Sequence, residues 1–125
     1  MKRIMSAFDQ NIEKLKSYLV RFENGGIKHR IAGKDVAGGG GFFTTTSPVD
    51  KSTICEVARG DAGDIDKAAK AAKVAFPTWR DMPAKERKAI MIRIAEGIEA
   101  RAEEIALCEC WDTGQAWRFM SKAAL

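Results

Sequence analysis

Three cysteines are the side chains of this 125-residue chain best suited to nucleophilic or metal-binding chemistry. Cys55 stands in a stretch of alternating residues, and a single residue separates Cys108 from Cys110. On a helix that spacing places the two thiols about 200° apart, so they cannot share a metal ion. An odd number of cysteines without metal-ligand spacing favours reduced thiols in a cytosolic protein. Each is interpreted as a small core residue, because free cysteine is commonly buried.

A run of four glycines at residues 38–41 also invites a chemical interpretation. A phosphate-binding loop must open directly into a helix, whose first N–H groups then face the anion. This run opens into Phe42-Phe43-Thr44, which favours an extended strand. The run is therefore predicted to be a flexible connection. His29 has no partner motif and is given no role.

The net charge of +4 is concentrated near the N-terminus, where residues 1–34 carry a net charge of +5. Basic and acidic residues are mixed there and no nucleic-acid-binding module is recognisable, so a solvated helix face is favoured and no nucleic-acid partner is expected. No apolar segment follows Met1-Lys2-Arg3, and no stretch approaches the ~20 apolar residues that span a bilayer. A cytoplasmic protein with no membrane partner is expected.

Residues 1–26 are predicted to form an N-terminal amphipathic helix extension. Ser6 can cap this helix, residues 24–26 can end it, and apolar residues recur at steps of three and four: Ile4, Phe8, Ile12, Leu15, Leu19 and Phe22. Packing against the body of the protein is favoured. A helix lying on a membrane surface is the alternative, and mixed acidic residues and the absence of tryptophan disfavour it.

Residues 27–60 have the composition of strands and turns. Residues 27–36 are a strand candidate interrupted by Gly33. Residues 42–46 and 53–59 flank the turn residues 48–52, and they are predicted to form a hairpin of about five residues per strand.

Helical periodicity begins at Asp61, which is predicted to cap the first of three to four further helices. Pro77 is expected to end that helix and Pro83 to begin the next. Glu103-Glu104 begins another helix, which Gly114 can end. Residues 115–125 are again helix-like, and the chain is expected to stop inside this element. An α+β arrangement is predicted, with an N-terminal helix, a short β-hairpin region and these helices.

Several short motifs occur in a specific order along the chain. They are Ser-Pro-Val-Asp-Lys-Ser at 47–52, Glu-Val-Ala-Arg-Gly-Asp at 56–61, Ala-Phe-Pro-Thr-Trp at 75–79 and Asp-Thr-Gly at 112–114. In this order, residues 27–125 resemble the beginning of the cofactor-binding domain of the NAD(P)-dependent aldehyde dehydrogenases, an α/β family. Residues 28–36 are similar to the family's early Ile-Asn-Gly-Lys strand, with Ala32 in place of the usual asparagine. Within the family, the chain resembles the 5-carboxymethyl-2-hydroxymuconate-semialdehyde and betaine-aldehyde dehydrogenases.

The resemblance implies an enzyme that oxidises an aldehyde, here a semialdehyde of aromatic-ring catabolism, to a carboxylate with NAD(P)+. In the family, a cysteine thiolate attacks the aldehyde and a glutamate activates the water that releases the acid. The family's Gly-Gln-x-Cys, Glu-Leu-Gly-Gly and Gly-Ser-Thr contexts are absent from this sequence. No catalytic or cofactor-binding residue is therefore assigned, and the chain alone is expected to be inactive.

The resemblance also implies part of a site for a monovalent cation, Na+ or K+. Many members of the family use backbone oxygens just before the Asn/Ser-Pro turn and the carboxylate of Asp-x-Gly. The matching positions are Thr45, Thr46 and Asp112, and such oxygen ligands suit a hard cation. The alternative role for Asp112 is a hydrogen bond to the backbone at its own helix end.

Two functional interpretations remain open. In the first, the chain is the N-terminal part of a dehydrogenase, its partners being the remaining part of that enzyme and further copies in a homo-oligomer. In the alternative, it is a stand-alone helical interaction module whose contact element is the helix over residues 6–23. The helices over 83–101 and 103–111 carry apolar stripes that need partners. Several hundred Å² of exposed apolar surface, and an oligomeric or loosely packed species, are therefore expected.

Overall fold

The computed structural model describes residues 5–23 and 25–123, and within them it contains five helices and two small sheets. The predicted α+β architecture is confirmed. The helices are α1 (Ala7–Glu23), α2 (Ala62–Asp81), α3 (Ala84–Glu99), α4 (Ala102–Thr113) and α5 (Trp117–Ala123). The strands are β1 (His29–Ile31), β2 (Lys34–Val36), β3 (Phe42–Thr46) and β4 (Thr53–Ala58). The sequence analysis assigned some further residues to helical segments or their ends, and these lie outside the described residues: Ile4, Asn24 and residues 124–125.

The first sheet is a hairpin in the segment that the sequence marks as one interrupted strand. β1 and β2 are antiparallel, with Ile31 opposite Lys34. The two residues between them, Ala32 and Gly33, have φ angles of 51° and 74°. Two-residue hairpin turns with positive φ at both positions match the twist of the flanking strands, and they favour Asn-Gly. Ala32 therefore occupies a left-handed position at some cost in backbone energy.

The second sheet is the predicted hairpin of β3 and β4. Its register pairs Phe42 with Ala58 and Thr45 with Cys55, and an irregularity follows Thr45. Ile27 extends the sheet on the other side of β4. Its N–H donates to the Glu56 carbonyl at 2.8 Å, and its carbonyl accepts from the Ala58 N–H at 2.8 Å. β4 is therefore the central strand, held on both sides.

The glycine run is an ordered connection, so the prediction of a flexible one is wrong. The Gly40 N–H donates to the Arg59 carbonyl at 3.0 Å, and the Arg59 N–H donates to the Gly41 carbonyl at 2.8 Å. A Cβ atom on Gly38 would lie 2.0 Å from the Arg59 carbonyl oxygen. Glycine is needed at this position because the loop lies directly against the end of β4.

Helix α2 begins at the predicted N-cap. The Asp61 carboxylate accepts from the Asp64 N–H at 3.0 Å, and the Asp64 carboxylate accepts from the Asp61 N–H at 3.2 Å. This reciprocal arrangement is a capping box. The Asp64 carboxylate also accepts from the Gly39 N–H at 2.7 Å. The start of α2 is thereby joined to the glycine run.

The expectation that Pro77 ends α2 is wrong, because the helix continues to Asp81. A proline inside a helix removes one hydrogen bond without preventing the following residues from forming their own. The helix ends where Met82 becomes extended, with ψ at 135°, because the residue before a proline is disfavoured in helical conformation. Pro83 then begins α3 as predicted. Arg87 closes the corner by donating from its guanidinium to the carbonyls of Arg80 and Met82.

The small core lies where α1 packs against α4 and β4. The buried apolar side chains among the described residues are few, and Leu15 of α1 and Leu107 of α4 are the largest of them; the full set is Leu15, Cys55, Ala58, Ala106 and Leu107. Ion pairs join the two helices at their exposed edge, with Lys14 Nζ 2.5 Å from Glu103 Oε1 and Arg21 paired with Glu104. The favoured packing of α1 on the body of the protein is confirmed. Within the part of the chain that the structure describes, no helix has the length and apolar character of a membrane-spanning segment.

The large apolar side chains of α2 and α3 remain exposed, as the sequence predicted for α3. We call them the α2–α3 apolar residues: Ile65, Val74, Phe76, Trp79, Met91, Ile92, Ile94 and Ile98. Val74 is 80% exposed and Ile65 is 70% exposed. Large exposed apolar patches are typical of interaction sites. The expected oligomeric state stays a prediction.

Two glycine-to-alanine substitutions provide a matched test of the glycine run. Gly38→Ala should destabilise the protein by about 2 kcal/mol or more, because the new Cβ atom overlaps the Arg59 carbonyl. Gly97→Ala should stabilise it by about 0.5–1 kcal/mol, because Gly97 is inside α3 with open space where its Cβ would stand. Urea unfolding measures both values. Equal effects of the two substitutions would contradict the close packing of the glycine run.

The pH dependence of stability tests the role of the Asp64 carboxylate, which is buried at 3% exposure. The N–H groups of Gly39 and Asp61 hold the pKa of its carboxyl at about 2, below the ordinary 3.8. Because the folded-state pKa is the lower one, the stabilising effect is complete above about pH 4 and is lost as the pH falls towards 2. Asp64→Asn should therefore flatten the loss of stability over this range, as measured by urea unfolding at several pH values. Asp66→Asn is the control, since Asp66 is an exposed partner of Lys70 on the same helix. Equal flattening by both substitutions would exclude a specific role for Asp64.

Candidate cation site

The turn after β3 and the end of α4 are joined by one buried side chain. Ser47 is 1% exposed, and its Oγ donates to the Trp111 carbonyl at 2.6 Å. The same Oγ accepts from the Val49 N–H at 3.2 Å. The Ser-Pro motif at 47–48 therefore meets the Asp-Thr-Gly motif at 112–114, although the two are far apart in sequence.

Local hydrogen bonds give the turn its shape. The Ser47 N–H donates to the Ser52 carbonyl at 2.9 Å, and the Lys51 N–H donates to the Ser47 carbonyl at 2.8 Å. The Asp50 carboxylate accepts from the Ser52 N–H at 2.9 Å. Asp and Ser are common in turns because their side chains bond nearby backbone in this way. The turn can therefore present Ser47 to α4 in a fixed orientation.

Gly114 ends α4 in the left-handed conformation, with φ at 77°, and its N–H donates to the Cys110 carbonyl at 3.0 Å. This is the position where a helix most often requires glycine. A Cβ on Gly114 would also lie 3.2 Å from Pro48 Cγ. Glycine here both ends the helix and lets the turn approach it.

Two of the three residues predicted at the cation site are neighbours in the structure, although the contact uses the side-chain hydroxyl of Thr45 and the prediction concerned its backbone oxygen. Thr45 Oγ1 lies 3.4 Å from Asp112 Oδ1, so a residue of β3 faces the carboxylate at the end of α4. In the described part of the chain, this hydroxyl is the hydrogen-bond partner of the Asp112 side chain, and the alternative bond to local backbone is not seen. Thr46 follows on β3, exposed, at the irregularity in the strand register.

The oxygen atoms at this junction are of the types that hard cations bind. A distance of 3.4 Å is at the long limit for a hydrogen bond between two oxygens, so the Thr45–Asp112 contact leaves the carboxylate free to accept more. Both residues border a cavity of about 540 Å³ between α1, the β3–β4 sheet and α4. Carboxylate, hydroxyl and carbonyl oxygens are the ligands that such cations take. Among the described residues, no group of three His, Cys, Asp or Glu side chains is arranged for a metal ion.

The three cysteines are free thiols near the same region. Burial raises the pKa of the Cys55 thiol, and the nearby Asp112 carboxylate raises it further. Burial likewise raises the pKa of Cys108 and of Cys110. The predicted interpretation of Cys55 as a core residue is confirmed, while the other two are partly buried.

The sequence analysis did not identify Ser47 as a residue of this site. Its burial and its bond to Trp111 depend on the approach of α4, which no local pattern encodes. The only signal was its place in the Ser-Pro motif. His29 was given no role, and its Nε2 is a buried atom without a hydrogen-bond partner among the described residues.

Most of the chain is similar to known proteins. The model of the aldehyde dehydrogenase family matches residues 36–124. The 5-carboxymethyl-2-hydroxymuconate semialdehyde dehydrogenase of Escherichia coli is 41% identical over 88 residues, which are 70% of this chain and 19% of that protein. The crystal structure of HpcC from Thermus thermophilus superposes with a TM-score of 0.83 at 37% identity, covering 90% of this chain and 22% of HpcC.

A crystal structure of PnpE in complex with nicotinamide adenine dinucleotide also matches, with a TM-score of 0.73 at 36% identity over 76% of this chain and 20% of PnpE. The chain spans about a fifth of the length of the relatives that it matches. The family model covers well over half of the chain. On this evidence, the chain belongs to the aldehyde dehydrogenase family.

Proposed function

We propose that this chain supplies the N-terminal scaffold of an NAD(P)-dependent aldehyde dehydrogenase that oxidises a semialdehyde to a carboxylate. The observation that carries the proposal is the junction of the Ser-Pro turn with the end of α4. The name of the Escherichia coli relative supports a semialdehyde as substrate, and the ligand in the PnpE structure supports a nicotinamide cofactor.

The chemical step belongs to residues outside this chain. A cysteine that attacks an aldehyde must be a thiolate near neutral pH, which requires a lowered pKa. Burial instead raises the pKa of all three thiols here. This disfavours each of the three as the attacking nucleophile, and we assign the chain a positioning role.

The α2–α3 apolar residues support a second element of the proposal. These large apolar side chains stand exposed on two neighbouring helices. Burying such side chains contributes roughly 1.5–3 kcal/mol each when burial is complete. We take the remaining part of the dehydrogenase chain as the partner that covers them.

A monovalent cation would be held by the Asp112 carboxylate and by oxygens of Thr45 and Thr46. The ion would neutralise the carboxylate and connect α4 to β3. Residues outside this chain would complete its coordination. The cation is a stabilising ligand of the scaffold in this proposal, and the aldehyde does not contact it.

A chimera tests the scaffold function. The matching segment of the Escherichia coli dehydrogenase is replaced by residues 36–123 of this chain, and NADH formation from its semialdehyde is measured. The chimera should keep activity within about tenfold of the parent, a loss of at most about 1.4 kcal/mol of transition-state stabilisation, because the proposal places no reacting group in the exchanged segment. The 125-residue chain alone should form no NADH above the blank. A folded chimera without activity, or an active isolated chain, would contradict the proposal.

Alkylation by iodoacetamide tests the state of the thiols. Because the thiolate reacts and burial raises the pKa of Cys55, Cys108 and Cys110, the folded chain should react slowly at neutral pH. The rate should still be rising above pH 9, the ordinary value for a thiol. Peptide mass spectrometry assigns the modified site, and the urea-unfolded chain is the control. A rate that reaches its plateau near pH 7 at one cysteine would identify an activated nucleophile instead.

A further inference from the structure

We propose that a cavity beside α1 binds one small, neutral aromatic molecule that carries a single hydrogen-bonding group. We call it the α1 cavity. Its volume is about 210 Å³, and it is bounded by α1, the turn after β3, the end of α4 and the start of α5. It is distinct from the cavity of about 540 Å³ beside Thr45 and Asp112, although Trp111 borders both.

Residues about one helical turn apart form two sides of the α1 cavity. On α1, Phe8, Ile12 and Leu15 are three or four positions apart and therefore share one face of the helix. On α4, Leu107 and Trp111 are four positions apart and line another side. Leu15 and Leu107 are buried, whereas Phe8 is 64% exposed. The cavity therefore has a closed floor and an open rim through which a ligand can enter.

The start of α5 supplies a further side. Gly114 ends α4 in the left-handed conformation, and residues 115–117 then pass along the cavity. Trp117, the first residue of α5, adds a second indole ring to that of Trp111. The bond from Ser47 to the Trp111 carbonyl holds the backbone that carries the first indole. Aromatic walls favour an aromatic occupant, because rings pack against one another in stacked or edge-to-face arrangements.

The volume of the α1 cavity limits the size of its occupant. Protein interiors are close-packed, and voids larger than a water molecule are few. An apolar cavity of about 150 Å³ stays dry and binds benzene. A cavity of about 210 Å³ therefore accommodates one aromatic ring with a small substituent. Water is a poor occupant, because each molecule needs polar partners and most of the lining side chains are apolar.

The side chains of the lining determine the chemical class of the occupant. None of the described residues that line the α1 cavity carries a charge. An ionised ligand would lose water there without gaining an ion pair, which is costly. A semialdehyde that bears a carboxylate and a dinucleotide are both disfavoured, so this site goes beyond the proposed dehydrogenase reaction. The carboxamides of Asn11 and Gln115 can each form a hydrogen bond with a phenol, an alcohol or an aldehyde.

The test measures binding of para-fluorophenol, which is neutral at neutral pH, to the 125-residue chain by fluorine NMR. Binding should saturate at about millimolar concentration. It should also raise the melting temperature, because a ligand of the folded chain stabilises that state. Para-fluorobenzoate has the same ring with a charge and should bind at least about tenfold more weakly. Fluorobenzene lacks the hydroxyl and should bind at least about threefold more weakly.

Two tryptophan substitutions on α1 form a matched pair. Ile12→Trp places a larger side chain in the α1 cavity and should weaken para-fluorophenol binding by about tenfold or more. Val20→Trp adds the same side chain on the same helix, at a position that is 53% exposed and outside the cavity lining. Its affinity should stay within about twofold of the unsubstituted chain. If Ile12→Trp does not fold, Ile12→Phe takes its place.

Three results would overturn the proposal. The first is the absence of saturable para-fluorophenol binding to the unsubstituted chain. The second is an equal affinity for para-fluorophenol and either of the other two probes, since the site would then not select a neutral ligand with one hydrogen-bonding group. The third is an equal affinity in the folded Ile12 and Val20 variants. An inactive chimera would leave these binding results intact, so failure of the proposed dehydrogenase function remains distinguishable.

Discussion

The hydrogen bond from Ser47 to the Trp111 carbonyl is the interaction on which the rest of the fold depends. It joins the β3–β4 sheet to α4 across 64 residues of sequence. Helix α1 packs against both of these elements, with Leu15 and Leu107 among the buried side chains. Because the described core is small, one fixed polar connection has a large influence on how the three elements meet. The pairing of Thr45 with Asp112 follows from the same junction.

Local signals were sufficient for much of the architecture. The cap at Asp61 was predicted from the sequence, and the structure completes it as a capping box whose two residues are only three positions apart. Gly114 was identifiable as a helix end because a left-handed residue is needed there. The hairpin of β3 and β4 followed from β-branched and aromatic residues around turn residues. In each case the residues that decide the structure are neighbours in the chain.

The errors arose from one contact between distant segments and from two local features that the sequence pattern does not show. The glycine run was predicted to be flexible, since its close approach to Arg59 depends on how β4 and α2 are arranged. Pro77 was expected to end α2, but the true end is set by Pro83 acting on Met82. The β1–β2 hairpin was missed because Ala32 gives no turn signal, although it adopts a positive φ. At the candidate site, Thr45, Thr46 and Asp112 came from family resemblance, and the role of Ser47 emerged only when α4 was placed beside it.

The separation of α2 and α3 from the junction has a consequence for how the molecule folds and opens. The chain leaves β4 at Ala58 and reaches α4 at Ala102; between them, α2 contacts β1 and the glycine run, and α3 contacts α4, each through few residues. Residues 59–101 connect β4 to α4, and the entropy cost of closing such a long connection grows only slowly with its length. Because few contacts tie α2 and α3 to the sheet, α1 and α4, we expect these two helices to unfold locally while the other elements stay assembled. A partner that covers the α2–α3 apolar residues would oppose this opening, so their burial would also stabilise the two helices that carry them.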